Sequence, residues 1–206
     1  MTTDARSRLL EPGWRYVDSP ALDQFTASDW DVLAAQRGPY YAAEQARQVL
    51  RLLASSRDDP SFGYAVNNYR HCVQAATAAL QDSRDEEYVV MALLHDIGFV
   101  ACPTNHGAFA AALLAPYVSD ATRWLLERHM DVQAGFCRTC PGIDLAAAER
   151  WRGHPHFAAT LEFVARYDIG TIRPGLAEAE LTIFVPLVRR VFARPPRPVR
   201  AYETWA

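Results

Sequence analysis

From Tyr88 to Leu94 the chain reads Tyr-Val-Val-Met-Ala-Leu-Leu and then turns abruptly to His95-Asp96. A segment apolar on nearly every side is stable only with other elements packed around it, so it predicts a central buried helix. Asp85, Glu86 and Glu87 place carboxylates where the positive end of a helix dipole favours them. Gly98, just beyond, is suited to a left-handed cap. His95 and Asp96 therefore fall at the inner end of the most buried helix. Titratable groups are costly there without a compensating charge, which points to a bound cation.

Helical spacing recurs on both sides of this segment. Residues 1 to 27, with Pro12, Gly13 and Pro20, read as an irregular lead-in. A short helix is expected after Ser28, then a longer one from about Tyr41 to Ala54 with Ala42, Ala46, Val49, Leu50 and Leu53 on its apolar face. Asp58-Asp59-Pro60 breaks the chain. A helix from about Val66 to Gln81 carries His71 one turn ahead of the small residues Ala75 and Ala76. Asn105 is placed to cap a helix from His106 to Leu114. A helix from Asp120 to Met130 turns Trp124, Leu125 and Leu126 inward, with His129 near its end. Leu145 to Trp151, Phe157 to Tyr167 and about Ala177 to Ala193 complete the series, ahead of Pro195-Pro196-Arg197-Pro198. No strand alternation persists and no internal repeat is visible. The expectation is an all-α chain.

Composition narrows the function. With 206 residues the chain is long enough for one domain with a substantial core. Its net charge of -3 gives no electrostatic footprint for nucleic acid. All 21 basic residues are arginine, which removes any mechanism that needs a lysine nucleophile. No apolar run reaches the length of a membrane span, and Met1 to Arg8 lacks a signal-peptide hydrophobic region, so a cytoplasmic chain without a membrane partner is expected. Cys137-Arg138-Thr139-Cys140 is a lone C-x-x-C with no second pair at zinc-ribbon spacing; it and Cys72 and Cys102 are expected to be free thiols in a reducing compartment.

The chemistry concentrates in His71, His95-Asp96, His106, His129 and Asp168. Imidazole and carboxylate are the protein ligands of iron, manganese and zinc. Each interval between them fits one helix plus one connection, so successive helices can return their ligands to a common centre with room for two ions. Asp96, where the backbone turns at the helix end, can aim its carboxylate between two ions while His95 binds one. His154 and His156, flanking Pro155 in a loop, read as structural.

Ala92-Leu93-Leu94-His95-Asp96-Ile97-Gly98, with a histidine ahead and an aspartate behind, resembles the HD-domain superfamily over roughly residues 62–195. Phe62-Gly63-Tyr64, Arg70-His71-Cys72-Val73-Gln74, Asn105-His106-Gly107, Glu127-Arg128-His129 and Ala165-Arg166-Tyr167-Asp168 look most like the branch holding myo-inositol oxygenase and the oxygenases that cleave hydroxylated phosphonates. The resemblance implies a single-domain HD-type helical bundle over 61–195, with an N-terminal extension over 1–60 whose helices pack on it and a tail over 196–206. It implies two iron ions, Fe(II)/Fe(III), with manganese, zinc or magnesium as alternatives. His71, His95, Asp96 and Asp168 would hold one ion, and His106 and His129 the second, bridged by Asp96. The implied partners are dioxygen and a small hydroxylated substrate, whose C–C or C–P bond is cleaved by a monomer or homodimer. Asp96 and Tyr64 would take part in catalysis, and Gln74, Gln133 and Arg166 in substrate binding. Phosphonate-cleaving relatives carry a lysine where this chain has Gln133, leaving Arg166 or Arg152 to meet an anion. The alternative within the superfamily is a metal-dependent phosphohydrolase using His71, His95, Asp96 and Asp168 around one ion.

Overall fold

A computed structural model describes residues 13–197, so the readings made for residues 1–12 and for 198–206 of the tail lie outside the described residues. Among the described residues the regular structure is helical throughout, as the periodicity predicts. The helices are α1 (Ala27–Ser55), α2 (Asn68–Gln81), α3 (Glu86–Leu94), α4 (His106–Leu114), α5 (Asp120–Ala134), α6 (Phe157–Phe163) and α7 (Leu181–Phe192), joined by turns and short 3-10 segments. No helix among them is long and apolar enough to cross a membrane.

Helix α3 is the buried centre. Val89 to Leu94 are all buried, and Ala75, Ala76 and Ala79 of α2 present no bulk, so α2 and α3 pack closely. Asp85 caps α3 by accepting from the Tyr88 N–H, one of the donors that a helix N-terminus leaves unpaired. Helix α7 packs on α3 and on α1, while α4 pairs with α5 and α5 with α6. Ala46, Val49 and Leu53 of α1 join the same core as Phe163, Phe184 and Val188.

Four local expectations are corrected. The two helices expected around Ser28 and Tyr41 are one, starting at Thr26, whose side chain and backbone form a reciprocal capping box with Asp29. The helix runs on through Pro39 because that residue is exposed and follows Gly38, which has no Cβ to clash with the proline ring. Gly98 is not a left-handed cap, since its φ is not positive. It is required for close approach instead: a Cβ there would lie 2.9 Å from the Phe109 ring and 3.0 Å from Cys102 Sγ. Asn105 precedes α4 without a side-chain capping bond, at φ -146° and ψ 23°, outside the extended geometry that capping needs. Finally, α7 begins at Leu181 rather than Ala177, because tertiary bonds hold the preceding residues extended. Glu178 is taken by Arg70 and Gln74, and the Ala179 N–H donates to Thr77 Oγ1.

The segment expected to be helical from Phe157 to Tyr167 carries one irregularity. Helix α6 widens into a π-turn over Val164–Asp168. Such turns shift side chains out of the α register and recur at functional sites. Here it delivers Asp168, fully buried, to the middle of the bundle.

Candidate metal centre

Five elements bring six side chains together: His71 from α2, His95 and Asp96 from the end of α3, His106 from the first turn of α4, His129 from α5 and Asp168 from the π-turn. All six are buried. Asp96 lies between two groups of imidazoles. Its Oδ1 is 3.1 Å from His106 Nε2, 3.3 Å from His129 Nε2 and 3.5 Å from His95 Nε2, while its Oδ2 is 3.6 Å from His71 Nε2. Asp168 Oδ1 lies 3.5 Å from His71 Nε2 and 3.9 Å from His95 Nε2. His71, His95 and Asp168 could hold one cation, and His95, Asp96 and His129 also lie within reach of a single ion.

Three of the rings are anchored from behind. The Nδ1 atoms of His95, His106 and His129 contact the carbonyl oxygens of Ala92, Pro103 and Leu126 at 2.8–2.9 Å. A carbonyl only accepts, so Nδ1 of each ring carries a proton and Nε2 is the nitrogen turned inward, a lone-pair donor whenever the ring is neutral. Yet His106 and His129 Nε2 are 3.2 Å apart, and His71 and His95 Nε2 are 3.0 Å apart. Nitrogens this close to one another and to a carboxylate are held together by positive charge, supplied by ring protons when the site is metal-free and by a cation when one binds. The donor set therefore fits a cation, and the anchoring carbonyls are the outer contacts that orient metal-binding histidines. His71 differs: its Nδ1 is buried without a partner, as is Gln74 Oε1 one turn along α2.

The titration behaviour has the same origin. Burial opposes a charge on His95, but the Asp96 charge and the bond with Asp168 outweigh it and raise the ring from 6.5 to about 9. His106 is raised as well, burial again being overcome by Asp96. Burial would raise the carboxyls of Asp96 and Asp168, yet the facing imidazoles hold both below the usual carboxylate range. Cys72, beside His71, is pushed well up by burial and then by the Asp96 charge. It is a buried free thiol that adds no thiolate to the centre.

A cavity of 70 Å³ opens beside the cluster, bordered by Ser61, Tyr64, Asn68, Phe99, Gln133 and Ile172 together with His71, Asp96 and His106. No arginine of the described residues borders it. Gln133 borders the cavity, its Nε2 3.3 Å from both oxygens of Asp168. Tyr64 borders the same cavity, 55% exposed and edge-on to Phe99. Two substrate contacts are corrected. Gln74 is not at the cavity; its amide is drawn away by Glu178 Oε1 and the Arg173 carbonyl. Arg166 leaves the π-turn on the outer side and pairs with Asp82 at 2.8 Å. Arg152 is likewise exposed and paired with Glu149. His154 stacks on Trp124 at 4.1 Å in an aromatic cluster with His156, the structural role expected of both.

Sequence reasoning missed three supports. Asn68 donates to the Asp96 carbonyl at 2.9 Å, Thr171 Oγ1 donates to the carbonyls of Tyr167 and Asp168, and the Phe99 ring covers His106. Asn68 alone left a signal, three residues before His71 and so on the same helix face. A larger groove of 790 Å³, between α1 and Phe192 to Arg197, contains no ligand residue. No family model and no curated protein matches the chain.

Proposed function

We propose that the chain is an HD-type dinuclear iron oxygenase that cleaves a C–C or C–P bond of a small hydroxylated polar substrate. The observation that carries this reading is the position of Asp96, with Oδ1 toward His106 and His129 and Oδ2 toward His71. A carboxylate so placed would be shared between two ions if both were bound. His71, His95 and Asp168 complete one set, and His106 and His129 the other. An Fe(II)/Fe(III) pair would supply the one-electron chemistry with dioxygen that no side chain of this protein offers.

The chain's own residues do the rest. His71, His95, Asp96, His106, His129 and Asp168 would hold the ions, and the cavity bordered by His71, Asp96 and His106 would admit the substrate hydroxyls beside them. The carbonyl anchors of His95, His106 and His129 hold the rings against rotation. Gln133, Asn68 and Ser61 give the cavity neutral hydrogen-bonding walls, and Tyr64 is the residue of its lining that would take part in catalysis. Among the described residues the cavity walls are neutral hydrogen-bonding groups beside the ligand residues, which suits a hydroxylated compound better than a phosphonate dianion. A cytoplasmic location and a monomeric or homodimeric state belong to the same proposal.

One observation favours the hydrolase alternative: His71, His95 and Asp168 by themselves lie within reach of a single ion. An oxygen electrode separates the two readings. Iron-loaded protein is expected to consume dioxygen when an uncharged polyol or hydroxylated amine is added. Release of phosphate from phosphomonoesters without any oxygen uptake would overturn the oxygenase reading.

A further inference from the structure

The Cys137-Arg138-Thr139-Cys140 segment takes no part in the metal centre. It leaves the end of α5 as a run of turns, the Phe136 N–H donating to the Gln133 carbonyl at 2.9 Å and that of Cys137 to the Ala134 carbonyl at 3.1 Å. The Cys140 N–H then donates to the Cys137 carbonyl at 2.9 Å, which makes the cysteines the first and last residues of a β-turn. Such a turn holds its end Cα atoms within about 7 Å. A disulfide closes over Cα separations of about 4.4–6.8 Å, a range that a hydrogen-bonded turn of this kind reaches.

The two thiols are also unequal. Cys140 is exposed, whereas Cys137 is partly covered. Burial, then the neighbouring Cys140 and Asp168, push the Cys137 thiol up. The other cysteines are placed differently, Cys72 fully buried in α2 and Cys102 donating to the Gly98 carbonyl.

We propose that Cys137 and Cys140 are a reversible dithiol–disulfide site, oxidised by hydrogen peroxide or a related hydroperoxide. The exposed Cys140 thiolate attacks the peroxide O–O bond, giving a sulfenic acid and hydroxide. Cys137 sulfur then attacks the sulfenic sulfur; the S–S bond forms, the S–O bond breaks, and the departing hydroxide leaves with the Cys137 proton as water. Two thiols lose two electrons and one peroxide becomes two waters. The clasp lies one turn beyond Gln133, whose amide touches Asp168, so it stiffens the segment that borders the metal centre.

Trypsin provides the test, because it cuts after Arg138 and separates the two cysteines. The full-length protein is treated with hydrogen peroxide, quenched with a maleimide and digested. The expected result is two peptides joined through Cys137 and Cys140, lighter than their sum by two hydrogens and separated by dithiothreitol. Cys72 stays reduced throughout. In Cys140→Ser the Cys137 peptide is expected to be labelled by maleimide after the same treatment. Labelling of both thiols in the wild type, a sulfinic acid on Cys140 with Cys137 still free, or links only between separate molecules would each overturn the proposal. So would protection from maleimide that a chelator abolishes, since that marks a bound soft metal instead.

Discussion

Gly107 lies directly against His129: a Cβ on Gly107 would fall 2.6 Å from the Leu126 carbonyl oxygen and 3.1 Å from the His129 ring. The same carbonyl anchors His129 Nδ1, so the close approach of α4 to α5 and the aim of a ligand depend on one missing methyl group. Gly107→Ala is expected to destabilise the protein by about 1–3 kcal/mol, the range for overpacking a well-fitted site, and to weaken metal retention. Gly153→Ala, where a Cβ meets nothing within 4 Å, serves as the control. Urea unfolding with metal analysis checks both. A Gly107→Ala protein as stable as the control would contradict the packing argument.

His106 donates nothing to the core beyond its ring, and its Nε2 faces only Asp96 and His129 among the ligand residues. His106→Ala is expected to reduce bound metal from two ions to about one per chain with the helical circular dichroism unchanged. Unaltered stoichiometry would refute the assignment of a second ion.

The metal-free protein is expected to show a defined pH profile. His95 is held at about 9, above its ordinary 6.5, so its contribution to stability is complete below 6.5 and lost as pH rises through 9. Asp96 and Asp168 are held below their ordinary 3.8, so their contribution is complete above that value and lost on acidification. Stability should therefore be greatest between these limits and fall from pH 6.5 toward 9. A bound cation replaces the protons, so metal uptake should release protons and grow tighter over the same window. Melting temperatures with and without chelator measure this; identical pH profiles would contradict it.

Asn68 carries the backbone end of the site. Asn68→Ala removes the donor to the buried Asp96 carbonyl and is expected to cost about 1–3 kcal/mol, the penalty for an unpaired buried polar group. A change below about 0.5 kcal/mol in urea unfolding would show that the contact is dispensable.

What was legible in the sequence follows a physical division. The apolar run into His95 and the spacing of His71, His106, His129 and Asp168 are local patterns, and they located α3 and all six clustered residues. Gln74 and Arg166 were misread because their fate depends on distant partners, Glu178 and Asp82, which no local pattern reveals. The π-turn was equally hidden: its ring of bonds differs from an α-turn by one residue, and the sequence around Arg166 fits both. Thr26 displaced Ser28 as the cap of α1 because Ser19, from the lead-in, also bonds Asp29 and fixes that first turn.

The central claim is that two cations share Asp96, and iron stoichiometry with electron paramagnetic resonance on protein loaded and held without oxygen tests it most directly. The account predicts about two irons per chain and, after partial oxidation, a coupled Fe(II)/Fe(III) signal that Asp96→Asn abolishes. One iron per chain with only an isolated ferric signal would contradict it.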